Sequence, residues 1–266
     1  MIKRVTGGQI VRIFRPDEIS ALIGSIDIMD ESSFTASRNT PNLRSSGMTT
    51  DDVRAWMRFL LYTGTRFAEA CIIHKSPSLY QGNGIIDLPY YLGKEKRTIK
   101  AREIRLSFRG REIMKDFFDA REFPASNGDQ ITQALTSFST MMHRAGKRIE
   151  LPEQTFQVYR KRYEKDEKGD FRKNDKGKKI RIDLPPKSYM TNGCVVRSMR
   201  KTWESWLYVV YAVDGRTESR VMLSLGHTKQ TALEHYLNYA TFDDEDVAAI
   251  RPEVEGFGVI GQDKGI

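Results

Sequence analysis

Cysteine and histidine are scarce in this chain, and neither is spaced to hold a metal. The two cysteines, Cys71 and Cys194, form no Cys-x-x-Cys pair, and the four histidines show no ligand spacing. The cysteines read as reduced, structural thiols. Long apolar runs are missing: none approaches the roughly 20 residues that span a bilayer. The first residues, Met1-Ile2-Lys3-Arg4-Val5-Thr6-Gly7-Gly8, lack the apolar stretch of a secretory signal. The expectation is a cytoplasmic protein with no membrane partner. Clusters of carboxylates suited to catalytic metal ions are absent too, and no internal repeat is read.

What the chain has is positive charge. Its 266 residues carry a net +8 and suffice for one large domain or two small ones. Most of the surplus lies between Arg160 and Arg181, where eleven Lys/Arg face five Asp/Glu. That basic insertion, bounded at 152–190, holds Gly169 and Gly177 and few apolar residues. It reads as a solvated β-hairpin or mobile loop. It serves either as a solubilising insertion or as a DNA-backbone contact through Arg160, Lys161, Arg162, Lys178, Lys179 and Arg181.

The rest is patterned mainly as helix. Pro16 and the acids Asp17 and Glu18 open a first helix. Residues 31–48 read as a loop. Thr50 opens a strong helix in which Val53, Trp56, Met57, Leu60 and Leu61 recur at helical spacing, and Gly64 closes it. A second helix begins near Arg66. Residues 84–92 and 98–106 flank the polar turn Gly93 to Arg97 as a β-hairpin. Helices are expected at 108–121, at 129–147, and from Cys194 to Val213 with Trp203, Trp206, Leu207 and Val210 facing the core. Thr231 to Glu234 is a capping box opening a short helix that carries Tyr236. A last helix runs from Asp243 to Pro252. The expected class is mainly α with a small antiparallel β-sheet.

Three segments collect cations around a phenol. In Thr63-Gly64-Thr65-Arg66-Phe67-Ala68-Glu69, Glu69 lies one helical turn from Arg66 and can hold its guanidinium, whose planar fork matches two phosphate oxygens. Arg197 and Arg200 are one turn apart, and two buried arginines call for an anion. Leu225-Gly226-His227 precedes Tyr236 by nine residues. A phenol with a pKa near 10 becomes a nucleophile only where cations stabilise its phenolate. Tyr239, one turn on, is the rival phenol.

These segments resemble, in order and spacing, the three boxes of the tyrosine recombinases (integrases). The similarity covers about residues 15–240, in a single catalytic domain spanning 1–266. The resemblance implies that Arg66 and Arg200 bind the scissile phosphate, that His227 hydrogen-bonds it, and that Tyr236 attacks it. A 3′-phosphotyrosyl link would form without metal, ATP or cofactor. A lysine of the hairpin turn would be the general acid; Lys94 matches best, Lys96 is the close alternative, and Lys100 fits less well. Glu69 would be a supporting residue. The partners implied are a double-stranded DNA attachment site and a homo-tetramer on DNA.

Two departures stand out. Where the family usually has histidine, this chain has Arg197, which resembles archaeal mobile-element integrases of viruses or plasmids. The N-terminal core-binding domain is absent, so a truncated or minimal enzyme with weak DNA binding is expected. The stretch 241–266 is either a tail exchanged between protomers or a self-packed helix. Rival readings are a type IB topoisomerase-like relaxing enzyme and a non-catalytic DNA-binding relic.

Overall fold

The computed structural model describes residues 3–6, 11–33, 47–89, 91–92, 98–99, 101–123, 128–159, 161–185, 187–211, 221, 224–226 and 242–261. The chain divides into two compact units, one of Arg12–Glu150 with Cys194–Ile266, the other of Met1–Val11 with Leu151–Gly193. Mainly helical structure with small sheets is what the composition and periodicity predict. No helix among the described residues is long and apolar enough to cross a membrane.

In the larger unit, α1 (Pro16–Gly24) starts at the proline, as expected. The apolar stripe of α2 (Thr50–Thr63) forms the centre of the core: Val53, Trp56, Met57, Leu60 and Leu61 are all buried. Thr49 caps this helix reciprocally with Asp52, whose backbone N–H donates to the Thr49 hydroxyl (3.1 Å) while Thr49 N–H donates to the carboxylate (2.7 Å). An aromatic cluster seals it. Phe117 stacks on Phe59 at 3.6 Å between centroids, and Trp56 meets Phe67 at 5.5 Å and Phe117 at 5.2 Å. Each such pair adds about 0.5–1.5 kcal/mol beyond area burial.

After α3 (Phe67–Lys75) comes the expected hairpin. β2 (Ile85–Leu88) pairs antiparallel with β5 (Arg102–Arg105), and β3 (Tyr91–Leu92) with β4 (Thr98–Ile99). The single helix expected at 108–121 is instead two, α4 (Phe108–Glu112) and α5 (Met114–Asp119). Ile113, at φ −84°, ψ −6°, separates them, and Met114 and Phe117, three residues apart on α5, are both buried. α6 (Gly128–Arg148) follows.

Two strands of the smaller unit come next, and with them its sheet. β1 (Lys3–Thr6) pairs parallel with β6 (Gln154–Tyr159), which pairs antiparallel with β9 (Lys187–Thr191). The expected single antiparallel sheet is therefore one mixed sheet and separate two-stranded ladders. β1 is too short to show an alternating pattern, so its strand character came only from its partner.

β7 (Lys161–Tyr163) pairs with β8 (Arg181–Asp183) and leads into a three-way junction. There Glu164 N donates to Ile180 O (3.0 Å), Ile180 N to Arg172 O (2.9 Å), and Arg172 N to Glu164 O (3.0 Å), closing a ring among residues eight apart. Two turns spring from it. Asp166 Oδ1 accepts from Lys168 N (3.0 Å) and Asp170 N (2.9 Å); Asn174 Oδ1 accepts from Lys176 N (3.1 Å) and Lys178 N (2.9 Å). Gly169 and Gly177 supply the left-handed residue at the same place in each, φ +87° and +71°. The octapeptides 163–170 and 171–178 share one pattern: aromatic, charged, Lys, Asx, acid, Lys, Gly, charged. The expectation of no internal repeat is thus corrected, on a scale shorter than any repeat sought.

The larger unit resumes with α7 (Arg197–Tyr211), which begins later than the expected Cys194 because Val195 N–H bonds the Ser198 hydroxyl ahead of the first turn (3.3 Å). Trp203, Trp206 and Leu207 are fully buried, whereas Val210 is only half-buried. Trp206 Nε1 donates to Phe14 O (3.0 Å). The expected helix around Tyr236 lies outside the described residues. α8 (Asp244–Val254) packs on α7, α4 and α1 of its own chain. It passes through Pro252, where an end was expected; so close to the terminus, proline removes one backbone donor without stopping the last turn.

Candidate active site

The turn between α2 and α3 sets the geometry. Gly64 is left-handed at φ +61°. It also has no room for a side chain: a Cβ there would lie 2.8 Å from Leu225 Cδ2 and 2.8 Å from Trp203 Cδ1. The first segment is thereby packed against the second and third. Thr63 pins the turn by donating to Phe59 O (2.7 Å) and sharing a hydrogen bond with the Thr65 hydroxyl (2.9 Å).

Arg200 joins the same three segments. Its Nη1 donates to Gly64 O at 2.7 Å, its Nη2 donates to Leu225 O, and its Nε pairs with Glu204 Oε1 at 2.9 Å. The side chain is 8% exposed and Glu204 1%. A buried guanidinium needs a counter-charge and acceptors; here two carbonyls accept from Nη1 and Nη2, and Glu204 supplies the charge beside Nε without hydrogen-bond geometry there. Arg197, a turn earlier, is exposed. The expectation of two buried arginines on one face is corrected: the helix start points Arg197 to solvent and only Arg200 inward.

Arg66 is the N-cap of α3, where a helix was expected to begin. Glu69 holds it twice, accepting from Arg66 N on Oε2 (2.7 Å) and from Arg66 Nη1 on Oε1 (2.8 Å). Glu69 is wholly buried, while the Arg66 side chain stays 44% exposed.

Arg102 was not anticipated. From β5 it grips both oxygens of Glu69, Nη1 to Oε1 at 3.0 Å and Nη2 to Oε2 at 2.9 Å, and its Nε donates to Ser224 O at 3.0 Å. Next door, Arg105 N donates to the Ser224 hydroxyl at 3.0 Å. Strand alternation held a signal: Arg102 shares a face with Ile104, which is fully buried. Glu204 was equally legible, four residues after Arg200 on one helix face.

Burial of Glu69 raises its pKa, but the Arg102 hydrogen bonds and charge, then Arg66 and Arg200, outweigh it and hold the carboxyl down at about 2. Of these five charged groups, three arginines face two carboxylates, a surplus of one positive charge. The most exposed of the five is Arg66. Such an arrangement suits a phosphate oxygen, since a fixed fork beside a buried carboxylate cannot collapse away from an anion.

Lys94, Lys96, Lys100, His227, Tyr236, Tyr239 and Arg160 lie outside the described residues. The strands that bracket Lys94 and Lys96 are placed, Leu92 opposite Thr98. In the smaller unit, Lys161 and Arg181 have their backbones in β7 and β8. Arg162 and Lys178 are exposed. Lys179 sets its ammonium over the rings of Phe171 (4.0 Å) and Tyr163 (5.6 Å), a cation–π contact that ties it to the junction. Cys71 and Cys194 are free and buried, and burial pushes both thiols up to about 12, in keeping with structural cysteines.

Compared with protein-family models, curated proteins and solved structures, the chain matches none.

Proposed function

We propose that this chain is the catalytic domain of a tyrosine recombinase, a site-specific DNA strand transferase of the integrase type. The observation that carries the reading is the pair of hydrogen bonds that Arg200 donates to Gly64 O and Leu225 O. Residues separated by 136 and 25 positions are drawn together by one guanidinium, and each comes from a different box of the resemblance.

In this reading Arg66 meets a non-bridging oxygen of the scissile phosphate. Arg200, already committed to two carbonyls and Glu204, contributes charge from behind and holds the frame. His227 is assigned a hydrogen bond to the same phosphate. The Tyr236 oxygen attacks phosphorus, the bond to the 5′-oxygen breaks, and that oxygen takes a proton from Lys94 or Lys96. The products are a 3′-phosphotyrosyl link and a 5′-hydroxyl. The phosphodiester energy is kept in the new bond, so rejoining to another 5′-hydroxyl needs no ATP. Arg197, exposed at the start of α7, is a third phosphate clamp where the family has histidine. Double-stranded DNA is the substrate, and four protomers would synapse two sites.

The test is covalent trapping on a pool of nicked, random-sequence duplexes, with adducts recovered after denaturation in detergent. Wild type should form an adduct and Tyr236→Phe should not. An adduct that survives Tyr236→Phe moves the nucleophile to Tyr239. No adduct with either protein leaves a non-catalytic DNA-binding chain. Relaxation of a two-site plasmid without exchange of its arms would instead mark a topoisomerase.

A further inference from the structure

The two turns of the smaller unit have the same backbone and opposite charge. Residues 163–170 hold two lysines against four acids, net −2; residues 171–178 hold four bases against one acid, net +3. Both carry the same Asx turn and the same left-handed glycine. A repeat that keeps its fold and inverts its charge separates shape from electrostatics.

We infer that only the second turn contacts the DNA backbone, through Lys173, Lys176 and Lys178, and that the first is turned from it. The inference rests on reading the chain as a DNA-processing enzyme. Not every base of the insertion is available for phosphate. Arg172 Nη1 is bound to Glu164 Oε1 at 2.6 Å, and Lys165 lies 5.2 Å from the Phe171 ring centre. Lys179 caps the same ring and that of Tyr163. These groups build the junction, where the Tyr163 and Phe171 rings meet edge to face at 5.7 Å. Lys173, Lys176 and Lys178 are exposed, and within the second octapeptide Asp175 is the sole acid beside them. Lys168 is the counterpart of Lys176, but Glu167 and Asp170 flank it. A polyanion approaching the junction is drawn to one turn and repelled by the other, which sets the orientation of the duplex without reading a base.

The experiment measures binding of the full chain to a fluorescent random-sequence duplex across a salt series. Lys173→Gln, Lys176→Gln and Lys178→Gln combined should weaken binding roughly tenfold or more at low salt and lower the salt slope by about 2–3, since each lost phosphate contact removes about 0.9. Lys168→Gln removes the same charge as Lys176→Gln from the equivalent position and should change affinity less than about twofold. The turns are closed by backbone N–H groups of these residues, which glutamine keeps, and an unchanged circular dichroism spectrum verifies the fold. Equal losses from Lys168→Gln and Lys176→Gln would show that bulk charge alone matters and would overturn the inference while leaving DNA binding intact. No binding of wild type to any duplex would instead remove the DNA reading on which it stands.

Discussion

Arg102 meets Glu69 with both ends of its guanidinium, at 3.0 and 2.9 Å, on the same two oxygens that Arg66 bonds. Glu69 is therefore not simply a partner for the arginine three residues before it. It is the hub through which a strand of the hairpin, the start of α3 and the 224–226 segment are fixed relative to one another. Removing Arg102 takes two charged hydrogen bonds from a buried carboxylate that keeps its bonds to Arg66. Arg102→Ala should cost about 2–4 kcal/mol, below the penalty for leaving a buried charge wholly unpaired. Arg102→Lys keeps the charge but loses the fork and the Nε bond to Ser224, so it should fall between the two. Urea unfolding of the three proteins checks the order; a lysine variant as stable as wild type would deny the fork any role.

The same hub predicts an acid-sensitive stability. Glu69 moves from an ordinary value of 4.5 to about 2 in the folded chain. A depressed carboxyl pKa means that the unfolded chain binds the proton more readily. The stabilisation is therefore complete above pH 4.5 and is lost as pH falls toward 2. Its size is on the order of 3 kcal/mol. Glu69→Gln should be less stable than wild type at about pH 6, and the gap should narrow steadily below about pH 4. Urea midpoints across that range measure it. A gap independent of pH would mean that packing, not charge, accounts for Glu69.

Gly64 offers a test of the convergence itself. Alanine there meets a left-handed backbone and two side chains at 2.8 Å. Backbone strain and the displaced neighbours together should cost about 2–4 kcal/mol. Leu225 and Trp203 must shift to admit the methyl group, so the carbonyls that Arg200 binds would move as well. The expected readout is a lower thermal midpoint with altered tryptophan fluorescence. A variant as stable as wild type would show that the turn accommodates a side chain and that the contact is loose.

The helices and hairpin were legible because each rests on a local pattern: the stripe of α2, the glycine after it, the proline before α1. The convergence of Arg66 and Arg200 could be expected only through resemblance, since neither periodicity nor spacing brings residues 64, 200 and 225 together. Arg102 was hidden because its significance depends on the carboxylate it reaches, 33 positions away. The octapeptide repeat was overlooked for a different reason. Its charges differ at several positions, and the two shared residues that define it, the Asx acceptor and the glycine, matter only through the backbone they shape.

Two phenols reach α8. Tyr62 on α2 donates to Glu253 Oε2 on α8 at 2.6 Å, and Tyr211 donates to Val254 O at 2.9 Å. Burial, then the hydrogen bond and charge of Glu253, push the Tyr62 pKa well above its ordinary 10.0. The phenol therefore stays protonated and donating, and its contribution is lost only as pH rises beyond 10.0. Tyr62→Phe keeps the ring against Trp203 and deletes the donor, leaving Glu253 without this bond. The expected cost is about 1–3 kcal/mol, a hydrogen bond to a charged, partly buried group. Because α2 keeps its other contacts, the loss should fall on α8. Amide hydrogen exchange should quicken across Asp244–Val254 and change little in Thr50–Thr63. Uniform quickening in both would show that the two helices open together, and that the tail is part of the core's cooperative unit and not a separable flap.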